Sequence, residues 1–364
     1  MTVRYVGPGG NDSNSGLTWA LRKLTLSGME ATPVVAGDFV WVGAGTYREL
    51  LTVAVSGTAG NPITYAADYT GANTDGVGGV VRITGSADDI ALTRANCISA
   101  SSKNYRTFQG FLMDGCSSNL ITATTSCTGW IIDKCSLHAS ANAACVNYGG
   151  TGTGNTVSNC YATSTTTIIA LMHSAAVDNS GHVVSNCVFI AGQQAAIGIT
   201  RVGGATVKNC LFLGRTGIQI LTALTVGQTT TVNNCIFHNV GNGVTATAVG
   251  EITEDYNNFI GNATARTNVS TGAHSLAYIT MFDHRWFFNT TYKGAGPYNF
   301  FQIATPFDIG AGSPLINVAG TGATSTDMRG TLIQGAAREW GPLEYDSTLK
   351  TLGGLPKKRI EEMR

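Results

Sequence analysis

Asp114 and Asp133 each stand two residues ahead of a cysteine, Cys116 and Cys135, and those cysteines are 19 residues apart. If that step is one turn of stacked β-coils, the carboxylates face outward on neighbouring coils, roughly 5 Å apart. Two carboxylates at that separation suit the acid and nucleophile of a retaining glycoside cleavage, or two oxygen donors of a calcium site. A solvated surface pair has the same signature and is the commoner case, with Lys134 relieving the repulsion. Asp283-His284-Arg285-Trp286 brings an acid, a base and a ring together, but nothing supplies a partner for it. His138 and His238 fall in one column four coils apart, near 20 Å, too far for one metal. No Ser-His-Asp order, phosphate-cradling glycine motif or zinc spacing occurs, so no metal ligand is assigned.

What must position these side chains is a repeat. Val157-Ser158-Asn159-Cys160, Val184-Ser185-Asn186-Cys187-Val188-Phe189, Val207-Lys208-Asn209-Cys210-Leu211-Phe212 and Val232-Asn233-Asn234-Cys235-Ile236-Phe237 are one phrase. With Cys116 and Cys135 the cysteine recurs in steps of 19, 25, 27, 23 and 25, and Phe259 takes the next place 24 residues on. The irregular period suits a solenoid whose loops vary while its sheets keep register; leucine-rich repeats need a Leu-rich consensus at a fixed period, helical repeats a 3.6-residue periodicity through 10-residue segments, and propeller blades a period of about 40 residues. Val, Cys and Phe then form inward columns. Asn159, Asn186, Asn209, Asn234 and Asn258 form an amide ladder at a corner. The position two before each cysteine reads Asp114, Asp133, Ser158, Ser185, Lys208 and Asn233.

Of 364 residues, 43% are hydrophobic and only 12% charged, with 22 basic against 22 acidic groups. That balance gives no electrostatic case for nucleic acid or an anionic membrane surface, and no apolar run reaches membrane-spanning length. The start at Met1 has no apolar stretch of signal-peptide length, so synthesis in the cytoplasm is expected. The cysteines read as reduced core thiols.

Residues 17–31 carry helix-like spacing, and strands are expected at Asp38–Val42, Leu51–Val55, Pro62–Tyr65 and Val80–Ile83. Loops are expected at Ser140–Gly154 and Thr222–Thr230. Glu251, Glu254 and Asp255 read as surface charge. After Phe259 the repeat degrades. Residues 262–300 are aromatic-rich, and Trp286, Tyr292 and Tyr298 read as a cap of the stack or a platform on which sugars stack. Beyond Tyr345 come a linker and a charged tail in which Lys357, Lys358 and Arg359 are the candidate docking residues.

Tyr5-Val6, Gly10–Gly16, Gly37-Asp38 and Gly45-Thr46-Tyr47-Arg48-Glu49 resemble the N-terminal signature of right-handed parallel β-helix proteins of the pectate-lyase-like and phage-tailspike-like superfamily. Ser313-Pro314-Leu315-Ile316-Asn317, Asp327-Met328-Arg329-Gly330 and Gly341-Pro342-Leu343-Glu344-Tyr345 resemble its closing segment, with Trp340 a departure from it. The resemblance implies an all-β, right-handed parallel β-helix of about 24 residues per coil with a short N-terminal capping helix and an irregular C-terminal cap. The corresponding division is 1–36 for the N-terminal strand and helix, 37–345 for the β-helix, and 346–364 for the tail. Function is expected to be structural or adhesive in a tailed-phage virion, as spike, fibre head or capsid decoration. The partners would be other virion proteins and host surface polysaccharide; homotrimerisation and an extracellular location stay open. The alternative is a depolymerase, a polysaccharide lyase or glycoside hydrolase. No cofactor is expected, with Ca²⁺ implied only for a lyase.

Overall fold

In a computed structural model, residues 1–32, 34–139, 144–164, 171–177, 181–202, 204–224 and 228–278 are described; for 171–177, 191–202 and 278 this means the backbone alone. Every strand pairing among the named strands is parallel, and each coil contributes to three faces. Among the described residues, the first face is a ten-stranded sheet running from Val3–Val6 and Phe39–Gly43 to Ile252–Asp255. The second runs from Gly45–Tyr47 through Val81–Thr84, Leu112–Asp114 and Ser136–Ala139 to Leu276–Tyr278. The third includes Leu51–Thr52, Ile98–Ser101, Ile121–Thr124 and Val146–Gly149. Such parallel crossovers take the right-handed sense, and the molecule is a right-handed parallel β-helix.

One left-handed residue separates the first face from the second. Gly110, Lys134, Asn159, Asn186, Asn209, Asn234 and Tyr256 hold φ between 53° and 80° there. Asparagine suits this place because its short polar side chain tolerates the left-handed region. The side chains then form the expected ladder: Asn186 Nδ2 donates to Asn159 Oδ1 at 3.1 Å, and Asn159 Nδ2 to Asp133 Oδ1 at 2.7 Å. Behind the corner, Ile132, Val157, Val184, Val207 and Val232 align inward. On the next face Phe189, Phe212, Phe237 and Phe259 stack with centroids 5.2, 4.8 and 4.8 Å apart.

Two register expectations are corrected. Phe259 pairs with Phe237, so it continues the aromatic column; Asn257 occupies the cysteine place and Tyr256, not Asn258, the corner. Asn257 reproduces the thiol's bonding. Cys160 Sγ accepts from Cys135 N and lies 3.6 Å from the Ile132 carbonyl; Asn257 Oδ1 accepts from Cys235 N at 2.8 Å and its Nδ2 donates to the Val232 carbonyl at 2.7 Å. At the other end, Leu112 pairs with Ser136, which puts Phe111 beside Cys135 and leaves Cys116 outside the ladder. The ladder is therefore Cys135, Cys160, Cys187, Cys210 and Cys235, all buried.

Two inward ion pairs interrupt the apolar interior. Arg106, fully buried beside Tyr65 and Phe108, meets Glu30 of the short α-helix Leu26–Ala31, and Glu30 also accepts from Tyr65 Oη at 2.8 Å. At the far end Glu254 continues the valine column and Arg266 the Val244 column, 2.6 Å apart, with Arg266 over Phe259. Glu251 and Glu254 are thus buried, correcting the surface reading; Glu251 accepts from the amides of Leu224, Thr247 and Ala248. The expected helix over 17–31 is two pieces, a 3₁₀ turn Trp19–Leu21 and the α-helix Leu26–Ala31. Asp12 divides them, accepting from the amides of Leu24 and Thr25. The expected loop 140–154 contains the strand Val146–Gly149. The C-terminal cap and tail lie outside the described residues.

A second corner carries Trp130, Asn155 and His182. Trp130 N donates to Asn155 Oδ1 at 2.8 Å and Asn155 N to His182 Nδ1 at 3.1 Å, while the buried His182 ring stacks on Tyr148. Burial pulls the imidazole down to about 4 from 6.5. Unfolding lets it take up a proton anywhere between those values, so stability is full above pH 6.5 and falls as pH drops toward 4. We expect the urea midpoint to fall over that window, and His182→Asn to flatten part of the slope. At the first corner, Asn159→Ala loses both the left-handed tolerance and the ladder bonds, a cost of about 2–4 kcal/mol, and Asn159→Gly only the bonds, about 1–2 kcal/mol. Equal melting curves for the two variants would contradict the strained-corner account.

Candidate functional site

The register separates the two carboxylates with which the sequence reading began. Asp133 lies on the first face between Gln109 and Ser158, and Asp114 on the second between Thr84 and His138. They do not lie one above the other on neighbouring coils, because Cys116 is not in register with Cys135. Asp133 ends the asparagine ladder, accepting from Ser158 Oγ at 2.8 Å as well as from Asn159.

Asp114 instead belongs to a charged cluster on the outer side of the second face. Arg82 Nε donates to both of its oxygens at 3.0 and 2.9 Å, and Arg82 Nη1 reaches Asp89 Oδ1 at 2.5 Å. Asp89 sits at φ 70° in the loop that follows, where Arg48 forks onto both its oxygens at 3.1 and 2.5 Å. The paired guanidinium hydrogen bonds from Arg48 and then Arg82 bring Asp89 down to about 2. Burial works against the Arg82 charge, but Asp114 and Asp89 outweigh it and raise its pKa.

Beside Asp114, His138 Nε2 is 2.7 Å from Ser136 Oγ, and Nδ1 is 2.9 Å from Thr163 Oγ1; Tyr161 packs against the ring. Burial lowers the His138 pKa, opposed by the charge of Asp114. The imidazole is therefore neutral at neutral pH and able to accept a proton. Asp89 is held ionised by its two arginines, which suits charge recognition better than acid catalysis.

Calcium needs several oxygens converging on one point. Asp114 and Asp89 turn theirs to guanidinium groups and Asp133 to the ladder, so these residues do not fit that ion. No cluster of three or more His, Cys, Asp or Glu side chains poised for a metal occurs among the described residues. His138 and His238 do share a column four coils apart, through Thr163, Ile190 and Leu213. Trp286, Tyr292, Tyr298, Lys357, Lys358, Arg359 and the 283–286 group lie outside the described residues. Arg48, Arg82, Asp89 and Ser136 were not singled out from sequence; finding them required the alignment of Val81–Thr84 with Leu112–Asp114, where no cysteine marks the coil.

If the bridges hold in solution, Arg48→Ala or Arg82→Ala raises the Asp89 midpoint from about 2 toward 3.8 in a carboxyl NMR titration. An unchanged midpoint would show that the two arginines do not hold it.

Residues 109–278 match the family model described as the right handed beta helix region. No curated protein matches the chain. Among solved structures, the pectate lyase Pel9A is 15% identical with a TM-score of 0.59, over 94% of this chain and 96% of that one. XylC in complex with xylose is 13% identical at 0.54, over 76% and 67% of the two chains. A structure described as a glycoside hydrolase is 10% identical at 0.51, over 76% and 89%. At these identities the likeness is one of fold, and by it the chain is a right-handed parallel β-helix of pectate-lyase-like architecture.

Proposed function

We propose that this protein is a structural and adhesive β-helix that holds a surface glycan along its long axis, in the setting of a tailed-phage particle. The observation that carries the reading is the outer column of the third face. Thr52, Ser99, Thr122 and Asn147 succeed one another there, and Gln219, Thr245 and Thr267 continue it beyond residues 172 and 198. Their strand neighbours Leu51, Ile98, Ile121, Val146, Ile218 and Val244 are buried, so this column faces outward. Its named side chains are hydroxyls and amides, repeating at the spacing of parallel strands. Such groups exchange hydrogen bonds with sugar hydroxyls without the desolvation cost of a charge.

Catalysis is the second reading, favoured by the neutral His138 beside Ser136, Asp114 and Arg82. One experiment separates the two: polysaccharides of host surfaces are titrated against the protein and assayed for new reducing ends or unsaturated-sugar absorbance. Adhesion predicts binding without product, and at least tenfold weaker binding in a Thr52→Val, Ser99→Ala double variant, whose two positions pair on neighbouring coils. Product formation abolished by His138→Ala would establish the second reading instead. The particle setting is tested by probing purified virions with an antibody to the protein; particles without it would reject that setting.

A further inference from the structure

Cys97 and Cys116, the pair left outside the ladder, have their Sγ atoms 3.1 Å apart, and both side chains are fully buried. Cys97 directly precedes the third-face strand Ile98–Ser101, and Cys116 follows the second-face strand Leu112–Asp114 of the next coil. The backbone around them is tightly drawn together. Gly85 N donates to the Asp114 carbonyl at 3.0 Å, and the amides of Ser117 and Ser118 donate to Arg94 and Ala95. A Cβ at Gly85 would stand 2.7 Å from Cys116 Sγ, so only glycine leaves room for this approach. The ladder thiols are engaged differently: Cys160 and Cys187 each accept from a backbone amide of the preceding coil at 3.4 Å.

We propose that Cys97 and Cys116 are a site of covalent modification, closing to a disulfide when the protein meets a two-electron oxidant. The two S–H bonds break and one S–S bond forms. The two protons and two electrons pass either to hydrogen peroxide, giving two waters, or to oxidised glutathione, giving two reduced thiols. A disulfide is about 2.05 Å long, so the sulfurs need close by only about 1 Å. The link ties one coil to the next directly behind Asp114, and it anchors the end of the loop that carries Asp89. Oxidation therefore stiffens the charged cluster of the second face while leaving the cysteine ladder reduced. This inference does not depend on whether the protein binds or cleaves a glycan.

The test uses the full chain, folded, exposed to oxidised glutathione and then denatured for thiol counting and peptide mapping. The expected count is seven free thiols, the nine cysteines less the linked two. After trypsin, residues 95–103 should be joined to 107–134, with fragmentation placing the bond at Cys116 and not Cys127. The oxidised protein should melt several degrees higher than the reduced one, and Cys97→Ala should abolish that gain. Should Cys97→Ala fail to fold, the wild-type count and map decide alone. Nine free thiols after oxidation, or a bond that includes a ladder cysteine, would overturn the proposal.

Discussion

Each coil depends on one residue that bends the backbone into the left-handed region between the first face and the second. Because that residue is single, the strand on either side keeps its alternation, and valine before the corner and cysteine after it both point inward. Asparagine serves best, since its side chain tolerates the conformation and links one corner to the next. Where Lys134 or Tyr256 stands there instead, the corner persists because neighbouring coils impose it. The thiol after the corner has a second task, receiving a backbone amide from the coil before. Asn257 performs the same task with an amide, which explains how the column survives the loss of its cysteine.

The apolar interior of the described stack is interrupted by two inward arginine–glutamate pairs, Arg106 with Glu30 and Arg266 with Glu254. Buried ion pairs add little net stability over apolar packing, but leaving either partner alone in the interior is costly. Glu30 holds its helix against the core because its second oxygen also takes the Ala54 amide, and Arg106 donates to the Val55 carbonyl. The charged groups of the second face are likewise mutually satisfied, whereas Thr52 and Thr267 of the third-face column stand exposed.

The architecture was legible in the sequence because Val, Asn, Cys and Phe recur together from residue 184 to 237, and four residue types in fixed order leave one register. It became illegible where one type recurred without the others. Cys116 has no asparagine before it, and a thiol in a different column looks the same in sequence as a ladder thiol. Phe259 was misplaced for the converse reason, since Asn257 had replaced the cysteine that would have marked its coil. Each error was a shift of a few residues along the chain; at Cys116 it carried Asp114 across the corner, from the second face onto the first. That is why Asp114 and Asp133 looked paired, and why the Arg82 cluster was invisible until strands without cysteines were aligned.

The most direct test of this account is of register where the two alignments disagree. Thr107→Cys with Ile131→Cys joins outward residues that pair across adjacent coils in the structure, whereas Leu112→Cys with Ile131→Cys joins residues that would pair if Cys116 and Cys135 were equivalent. Mapping of engineered cross-links after mild oxidation of each double variant should show a 107–131 bond and no 112–131 bond. A 112–131 bond in the folded protein would contradict the corner-based register, and with it the placement of Asp114 on the second face.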